Sequence, residues 1–139
     1  MAMAKHVTQF SHARHALVGL PTLASPTAWT PNTDVFETAE SLVVRLELAG
    51  VVRADLEITL NDRLLLVRGH RAEPCREGQC TFRQMEIDYG CFERRILVPR
   101  PIDPSRARAH FDNGFLHVEL PKAAGTGHTT VTVIIEQTG

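Results

Sequence analysis

Apolar and polar residues alternate with a period of two along much of the chain between Trp29 and Lys122. The clearest stretch is 42–48, where leucine or valine at every even position alternates with Val43, Arg45 and Glu47. This alternation is typical of a β-strand that buries one face. The pattern recurs over 56–60. Further strands are predicted over 34–37, 64–68, 82–86, 92–98 and 107–120, with no helical period between them.

Two tight turns connect pairs of these predicted strands. Asn113-Gly114 lies between alternating apolar residues, and both residue types tolerate the positive φ angles of a primed hairpin turn. Asn61-Asp62 predicts a second hairpin in the same way. Short strands at this spacing favour an all-β fold, an antiparallel two-sheet sandwich of the immunoglobulin-like type.

The two ends of the chain differ from this central region. Residues 1–28 mix apolar residues with small polar ones and two prolines, and a helix over 11–19 would be too short to be stable alone. We therefore expect a mobile N-terminal arm over 1–28, a β domain over 29–122 and a flexible C-terminal extension over 123–139. The extension ends in an apolar β-branched segment, 131–135, which needs a docking place because it can pair with an open sheet edge.

Charge and composition exclude several classes of partner. The formal net charge is -1, from 15 basic and 16 acidic residues in small mixed groups, so we expect no nucleic-acid partner. The N-terminal residues do not form a secretory signal, and nothing approaches the ~20 apolar residues of a membrane span. These features predict a cytoplasmic protein whose three cysteines are reduced.

Several motifs, in their joint order, resemble one family. The pattern A-x-x-x-N-G-x-L runs from Ala109 to Leu116 and is closed by Leu120-Pro121-Lys122. An opening W-x-P-x-x-D-x-x-E runs from Trp29 to Glu37, and Y-G-x-F-x-R runs from Tyr89 to Arg94. Together they resemble the α-crystallin domain of bacterial and plant small heat shock proteins. Two positions depart from the family pattern: Ala49 replaces a proline, and Phe115 replaces a valine.

The resemblance implies an ATP-independent holdase that captures partly unfolded client proteins and is not an enzyme. No nucleotide-binding loop is present in the sequence, so client release would depend on separate ATP-driven chaperones. We expect no cofactor and no metal. Client binding is assigned to apolar residues of the arm, namely Phe10, Leu17, Val18, Leu20 and Leu23.

The resemblance also implies a dimer in which the strand near 82–86 crosses to pair with strand 34–37 of the neighbouring copy. Arg94 is then expected to meet a carboxylate across the dimer, with Glu86 or Asp88 as its partner. The alternative is an exposed pair, Arg94-Arg95, on a sheet edge. The expected dimer residues are Asp34, Val35, Phe36, Glu37, Phe82, Arg83, Met85, Glu86 and Arg94.

Family members assemble further through a C-terminal I-x-I/V motif that enters a groove on another protomer. Here Val131-Thr132-Val133 matches this motif best, and Val133-Ile134-Ile135 matches it in another register. The anchor residues are therefore drawn from Val131, Val133 and Ile135. The groove is expected between two strands, some of whose residues face the core, and involves Leu56, Ile58, Leu60, Ala107, Ala109 and Phe111.

Other functions compete with this hypothesis. A p23-like co-chaperone would share the fold but bind an ATP-driven chaperone as a monomer. An enzyme would use Cys80 or Cys91 as nucleophile with a histidine base, but neither cysteine lies at a strand-to-helix turn. A redox pair, Cys75 and Cys80, is close enough in the sequence to form a bridge, but free thiols are the preferred interpretation. A metal site at the histidines of the arm is disfavoured because their spacing matches no defined site. No catalytic role is assigned to the scattered histidines His70, His110, His117 and His128.

Overall fold

A computed structural model describes residues 27–74, 78–123 and 130–137. Within these ranges the chain is almost entirely strand, with 3₁₀ helices at Arg53–Asp55 and Pro104–Arg106. The strands are β1 Thr33–Glu37, β2 Ser41–Glu47, β3 Leu56–Asn61, β4 Leu64–Arg71, β5 Gly90–Leu97, β6 Arg108–Asp112, β7 Phe115–Pro121, β8 Thr130–Thr132 and β9 Ile135–Gln137.

The strands form two sheets that pack face to face. One sheet has the order β1-β2-β7-β6-β9, and the other has the order β5-β4-β3-β8. All pairs of these described strands are antiparallel except β6 with β9, which is parallel. The predicted all-β, two-sheet sandwich is confirmed, with the correction that the C-terminal strand makes one sheet mixed.

Both predicted hairpins form with two-residue loops. Asn113 and Gly114 have φ angles of 50° and 80°, and Asp112 pairs directly with Phe115. Positive φ at both central residues is the condition for a primed turn, whose twist matches that of the flanking strands. In the other hairpin Asn61 pairs with Leu64, so the loop is Asp62-Arg63, one residue later than the predicted Asn61-Asp62, and Asp62 has a φ of 56°.

The alternation along the strands sorts side chains between core and solvent. Leu42, Val44 and Leu46 of β2 are almost completely buried, whereas Glu47 is exposed. The inward residues of β3, β4, β6 and β7 meet them between the sheets, so one apolar core runs through the sandwich. Since burial contributes roughly 25 cal/mol per Å² of apolar surface, this core fixes the register of every strand in it.

Strand β4 continues to Arg71, past the end of the strand predicted over 64–68. Gly69 pairs with Phe92 of β5, and β4 ends only at Arg71. A Cβ atom at position 69 would lie 2.5 Å from the carbonyl oxygen of Asp55 and 2.8 Å from the Phe92 ring. Gly69 is therefore explained by the close approach of the Arg53–Asp55 helix and by the Phe92 ring, not by a chain break.

Candidate functional site

The C-terminal segment 130–137 lies against the edge strands of both sheets. Strand β8 pairs with β3 through Leu60 and Val131, and strand β9 pairs with β6 through Ala109 and Ile135. Between them, the backbone N–H of Val133 donates to the carbonyl of Ile58 at 3.0 Å. One short segment thus bridges the open side of the sandwich.

The side chains of this segment alternate between core and solvent. Val133 and Ile135 are each 6% exposed, whereas Ile134 between them is 77% exposed. Val131 is half-buried against the same core. Of the two registers that the sequence left open, the chain uses 133 and 135 as the fully buried pair within a single protomer.

The groove under the segment is formed by the apolar strand residues expected there. Ile58, Leu60, Ala109 and Phe111 are buried core residues, while Leu56 and Ala107 are half-buried against them. A depression of about 290 Å³ beside the segment is lined by groove residues and by Arg53. The Nε of Arg53 donates to the carbonyl of Ile135 at 2.6 Å, so one polar side chain also holds the segment.

On the opposite side of the sandwich, β1 is an edge strand, and its one partner among the described strands is β2. Its residues Asp34, Val35, Phe36 and Glu37 are all exposed. Phe36 lies under the guanidinium of Arg45 at 5.3 Å, and Glu37 forms an ion pair with Arg100 at 2.8 Å. An exposed edge with unpaired backbone groups is a site at which another strand can be added.

The residues between β4 and β5 leave the sandwich and return to it. Among residues 78–89, which the structure describes, no strand pairing occurs within the chain. Phe82 and Ile87 are 46% and 66% exposed, Arg83 and Glu86 are exposed, and Met85 is half-buried. Glu86 accepts a hydrogen bond from Gln84. The segment predicted to cross between copies therefore lies outside both sheets in a single protomer.

The two adjacent arginines of β5 have different surroundings. The Nε of Arg94 is buried and has no hydrogen-bond partner among the described residues. Arg95 is exposed and bonds to Glu93 at 2.7 Å. Within one protomer neither Glu86 nor Asp88 accepts a hydrogen bond from this Arg94 nitrogen. A buried donor without a partner costs free energy, so a partner from outside the chain would remove that cost.

His110 and His117, to which no catalytic role was assigned from the sequence, are stacked on the outer face of the five-stranded sheet. The rings of His110 and His117 are 4.7 Å apart and 13° from parallel. The Nε of Arg45 donates to Nδ1 of His117 at 3.2 Å, so this nitrogen acts as an acceptor. Burial, then His110 and Arg45, lower the pKa of His117, and Asp112 opposes them. The structure thus favours neutral imidazole.

The structure says less about the remaining residues that were named from the sequence. The arm residues Phe10, Leu17, Val18, Leu20 and Leu23 and the cysteine Cys75 lie outside the described residues. Cys91 is half-buried and lies across from His70 in the β4–β5 ladder. No group of three metal-ligating side chains occurs within 27–74, 78–123 and 130–137. In the same ranges, no helix has the length and apolar character needed to cross a membrane.

Comparison with known sequences identifies the family. The model of the Hsp20/alpha crystallin family matches residues 34–135. Small heat shock protein C2 of Rickettsia felis is 33% identical over 92 residues, which cover 66% of this chain and 60% of that protein. Heat shock protein 16 of Schizosaccharomyces pombe is 35% identical over 101 residues, covering 70% of this chain and 69% of that protein. The chain spans 57% to 60% of the length of the first curated relatives it matches.

Solved structures agree with the sequence comparison. Heat shock protein 16.0 from Schizosaccharomyces pombe has a TM-score of 0.65 at 30% identity, covering 78% of this chain and 99% of that chain. The hspA protein of Xanthomonas axonopodis has a TM-score of 0.63 at 28% identity, covering 70% and 98%. The predicted resemblance is confirmed. Sequence motifs, sandwich and both comparisons thus agree that this chain belongs to the Hsp20/alpha crystallin family.

Proposed function

We propose that this protein is a holdase chaperone, which binds partly unfolded proteins without ATP and keeps them from aggregating. The observation that carries the proposal is the apolar groove between β3 and β6, which is covered by the short strands β8 and β9. When the C-terminal segment leaves this groove, apolar surface and two strand edges become available to an unfolded chain.

The segment is bound weakly enough to leave. Burial of the Val133 and Ile135 side chains contributes ~3 to 6 kcal/mol, before the entropy of ordering the segment is subtracted. We infer that the same residues anchor copies of the chain to one another when the segment enters a neighbour's groove. Assemblies held by such contacts exchange subunits, and warming shifts them toward open grooves.

Capture of clients would be non-covalent. The arm residues Phe10, Leu17, Val18, Leu20 and Leu23 are proposed to add apolar contacts to those of the groove. Because apolar surface carries no residue-level code, we expect many different clients to bind. Release and refolding are assigned to separate ATP-driven chaperones, and the cytoplasm is the proposed compartment.

We infer that the unit of assembly is a dimer in which residues 82–86 add to β1 of the partner. Three observations on the described residues support this dimer: β1 is an open edge, residues 78–89 form no strand pairing within the chain, and the Arg94 Nε lacks a hydrogen-bond partner. In the dimer, a carboxylate of the partner would accept from Arg94. Each copy donates the same segment to the other, which closes the assembly by two-fold symmetry.

Light scattering from a heat-labile client tests the proposal. The client is warmed without nucleotide, with increasing amounts of this protein or of an unrelated stable protein of similar size. We expect scattering to be suppressed near one subunit per client, and only by this protein. Undiminished scattering, with the protein shown to be folded by circular dichroism, would contradict holdase function. Monomers that bind an ATP-driven chaperone instead would indicate the p23-type co-chaperone.

A further inference from the structure

The side chain of Arg71, the last residue of β4, ties together three segments of the chain. Its Nε donates to the carbonyl of Asp88 at 2.8 Å, and Nη2 contacts the same oxygen. Its Nη1 donates to the carbonyl of Ala49 at 3.1 Å. The planar guanidinium therefore joins the end of β4, the residues just before β5 and the connection that follows β2.

The same guanidinium lies over two aromatic rings. Its central carbon lies 3.8 Å from the centroid of the Trp29 ring and 5.9 Å from that of Tyr89. Contacts of this kind are stronger where the cation is removed from water. Arg71 is only partly exposed, whereas Arg68 on the same strand forms an ion pair in which both side chains are about half exposed.

The indole beneath Arg71 is itself fixed to the core. Trp29 is buried, packs edge-to-face on Phe92 at 5.1 Å, and donates from Nε1 to the carbonyl of Gly90 at 2.9 Å. Gly90 is in turn the backbone partner of Arg71. The two ends of the 72–89 excursion are thus held together by the strand ladder, by Arg71 and by Trp29.

This arrangement sets the direction in which the excursion leaves and re-enters the sandwich. Among the described residues of the excursion, 72–74 and 78–89, none pairs in a strand, and the contacts of Arg71 and Trp29 fix its two ends. A segment that is already directed outward loses less entropy when it adds to another chain. We infer that Arg71 is a positioning residue that presents the excursion to a second copy of this protein.

This inference rests on the strand-exchanged dimer of the proposed function. An arginine that merely stabilised the fold would, when replaced, loosen the core strands together with the excursion. A positioning arginine would instead affect the excursion and the edge strand β1 of the partner, and leave the core unchanged. Hydrogen exchange of backbone amides, measured segment by segment in the full-length protein, separates the two roles.

The test compares Arg71→Met and Arg71→Lys with the control Arg68→Met, at one protein concentration. Methionine keeps the apolar stem but removes both the hydrogen bonds and the charge, and lysine keeps the charge without the planar fork. We expect amides of 82–86 and β1 to exchange about tenfold faster in Arg71→Met, equivalent to about 1.4 kcal/mol, with a smaller change in Arg71→Lys. Amides of β2 and β7 should be unchanged in all three variants.

The possible results separate the inference from the dimer on which it rests. The positioning role would be supported if the amides of 82–86 and β1 are protected from exchange in the wild type and in Arg68→Met but not in Arg71→Met. Equal protection in Arg71→Met and the wild type would overturn it, as would faster exchange spread over β2 and β7. Absence of protection at the amides of 82–86 in the wild type would overturn the dimer itself, because these residues have no strand pairing within one protomer.

Discussion

At the scale of single residues, some roles can be predicted from the local sequence, and others depend on residues that approach from elsewhere in the fold. Asn113-Gly114 could be assigned to a primed turn because the required φ angles are favoured by those residue types. Gly69 could not be interpreted from sequence, because its role depends on Asp55 and Phe92, which approach it from other elements. The ring stack of His110 and His117 likewise depends on strand register and carries no local signal.

Replacing Gly69 with alanine should destabilise the fold more than a glycine replacement in open space. The new Cβ would overlap the Asp55 carbonyl and the Phe92 ring, so we expect the free energy of unfolding to fall by about 2 to 3 kcal/mol. Gly78→Ala is the control, because no described atom lies within 4 Å of its Cβ. Its positive φ should cost about 1 kcal/mol. Urea unfolding of both variants measures the difference, and equal losses would contradict the steric explanation.

The environment of His117 predicts that stability decreases in mild acid. Burial, His110 and Arg45 lower its pKa in the folded state below the ordinary value of 6.5. Below pH 6.5 the unfolded chain therefore binds a proton at this ring before the folded chain does. Its contribution to stability is complete above pH 6.5, decreases as the pH falls, and levels off below the folded pKa.

Urea unfolding between pH 8 and pH 5, at a fixed protein concentration, checks this expectation. In His117→Asn the amide oxygen can accept from Arg45, but the side chain does not titrate. We expect the stability advantage of the wild type over this variant to shrink as the pH falls through 6.5. Parallel curves for the two proteins across this range would contradict the assignment.

At the scale of secondary structure, periodicity predicted the strands but not every partner. Strands with one buried face, such as β2, were predicted from their alternation. The segment 131–135 could not be placed in one register, because nearly all its residues are apolar and β-branched, so a period of two has no unique phase. The parallel pairing of β9 with β6 depends on the path of the chain and has no sequence signature.

The burial pattern of the C-terminal segment gives a matched pair of substitutions. Ile135→Ser removes a buried side chain, and Ile134→Ser removes an exposed one from the next position. We expect loss of about 1.5 to 3 kcal/mol of docking free energy in the first variant and almost none in the second. Hydrogen exchange at the Val133 amide, which bonds to Ile58, reports this directly. Similar exchange rates in the two variants would argue against 133 and 135 as the buried pair.

At the scale of the whole molecule, the sequence motifs identified the sandwich and the family, while the dimer is a proposal. Positions 82–86 were predicted as a strand, yet among the described residues of one protomer they have no partner strand. Arg71 acts through backbone carbonyls, which every residue carries, so no pattern of residue types points to it. The buried Arg94 Nε lacks a hydrogen-bond partner among the described residues, and this observation supports the proposed dimer most directly.

Arg94 and Arg95 allow the dimer to be tested by adjacent substitutions. Arg94→Met should leave the monomer folded, since it removes a buried unpaired donor, but it should weaken the dimer by about 3 to 5 kcal/mol. Arg95→Met changes an exposed side chain and should have little effect on either. Sedimentation velocity over a dilution series compares the two. A dimer that survives dilution equally well in both variants would exclude the Arg94 contact.

The bridging position of segment 130–137 means that two sheet edges are protected by one piece of chain. Loss of that piece, by proteolysis or by truncation before Thr130, would leave β3 and β6 each with one open edge on the same side of the molecule. Open, apolar edges are where chains stack on one another in fibrils. Segment 130–137 would thus limit self-association of the protein. A protein that lacks this segment would tend to form fibrils.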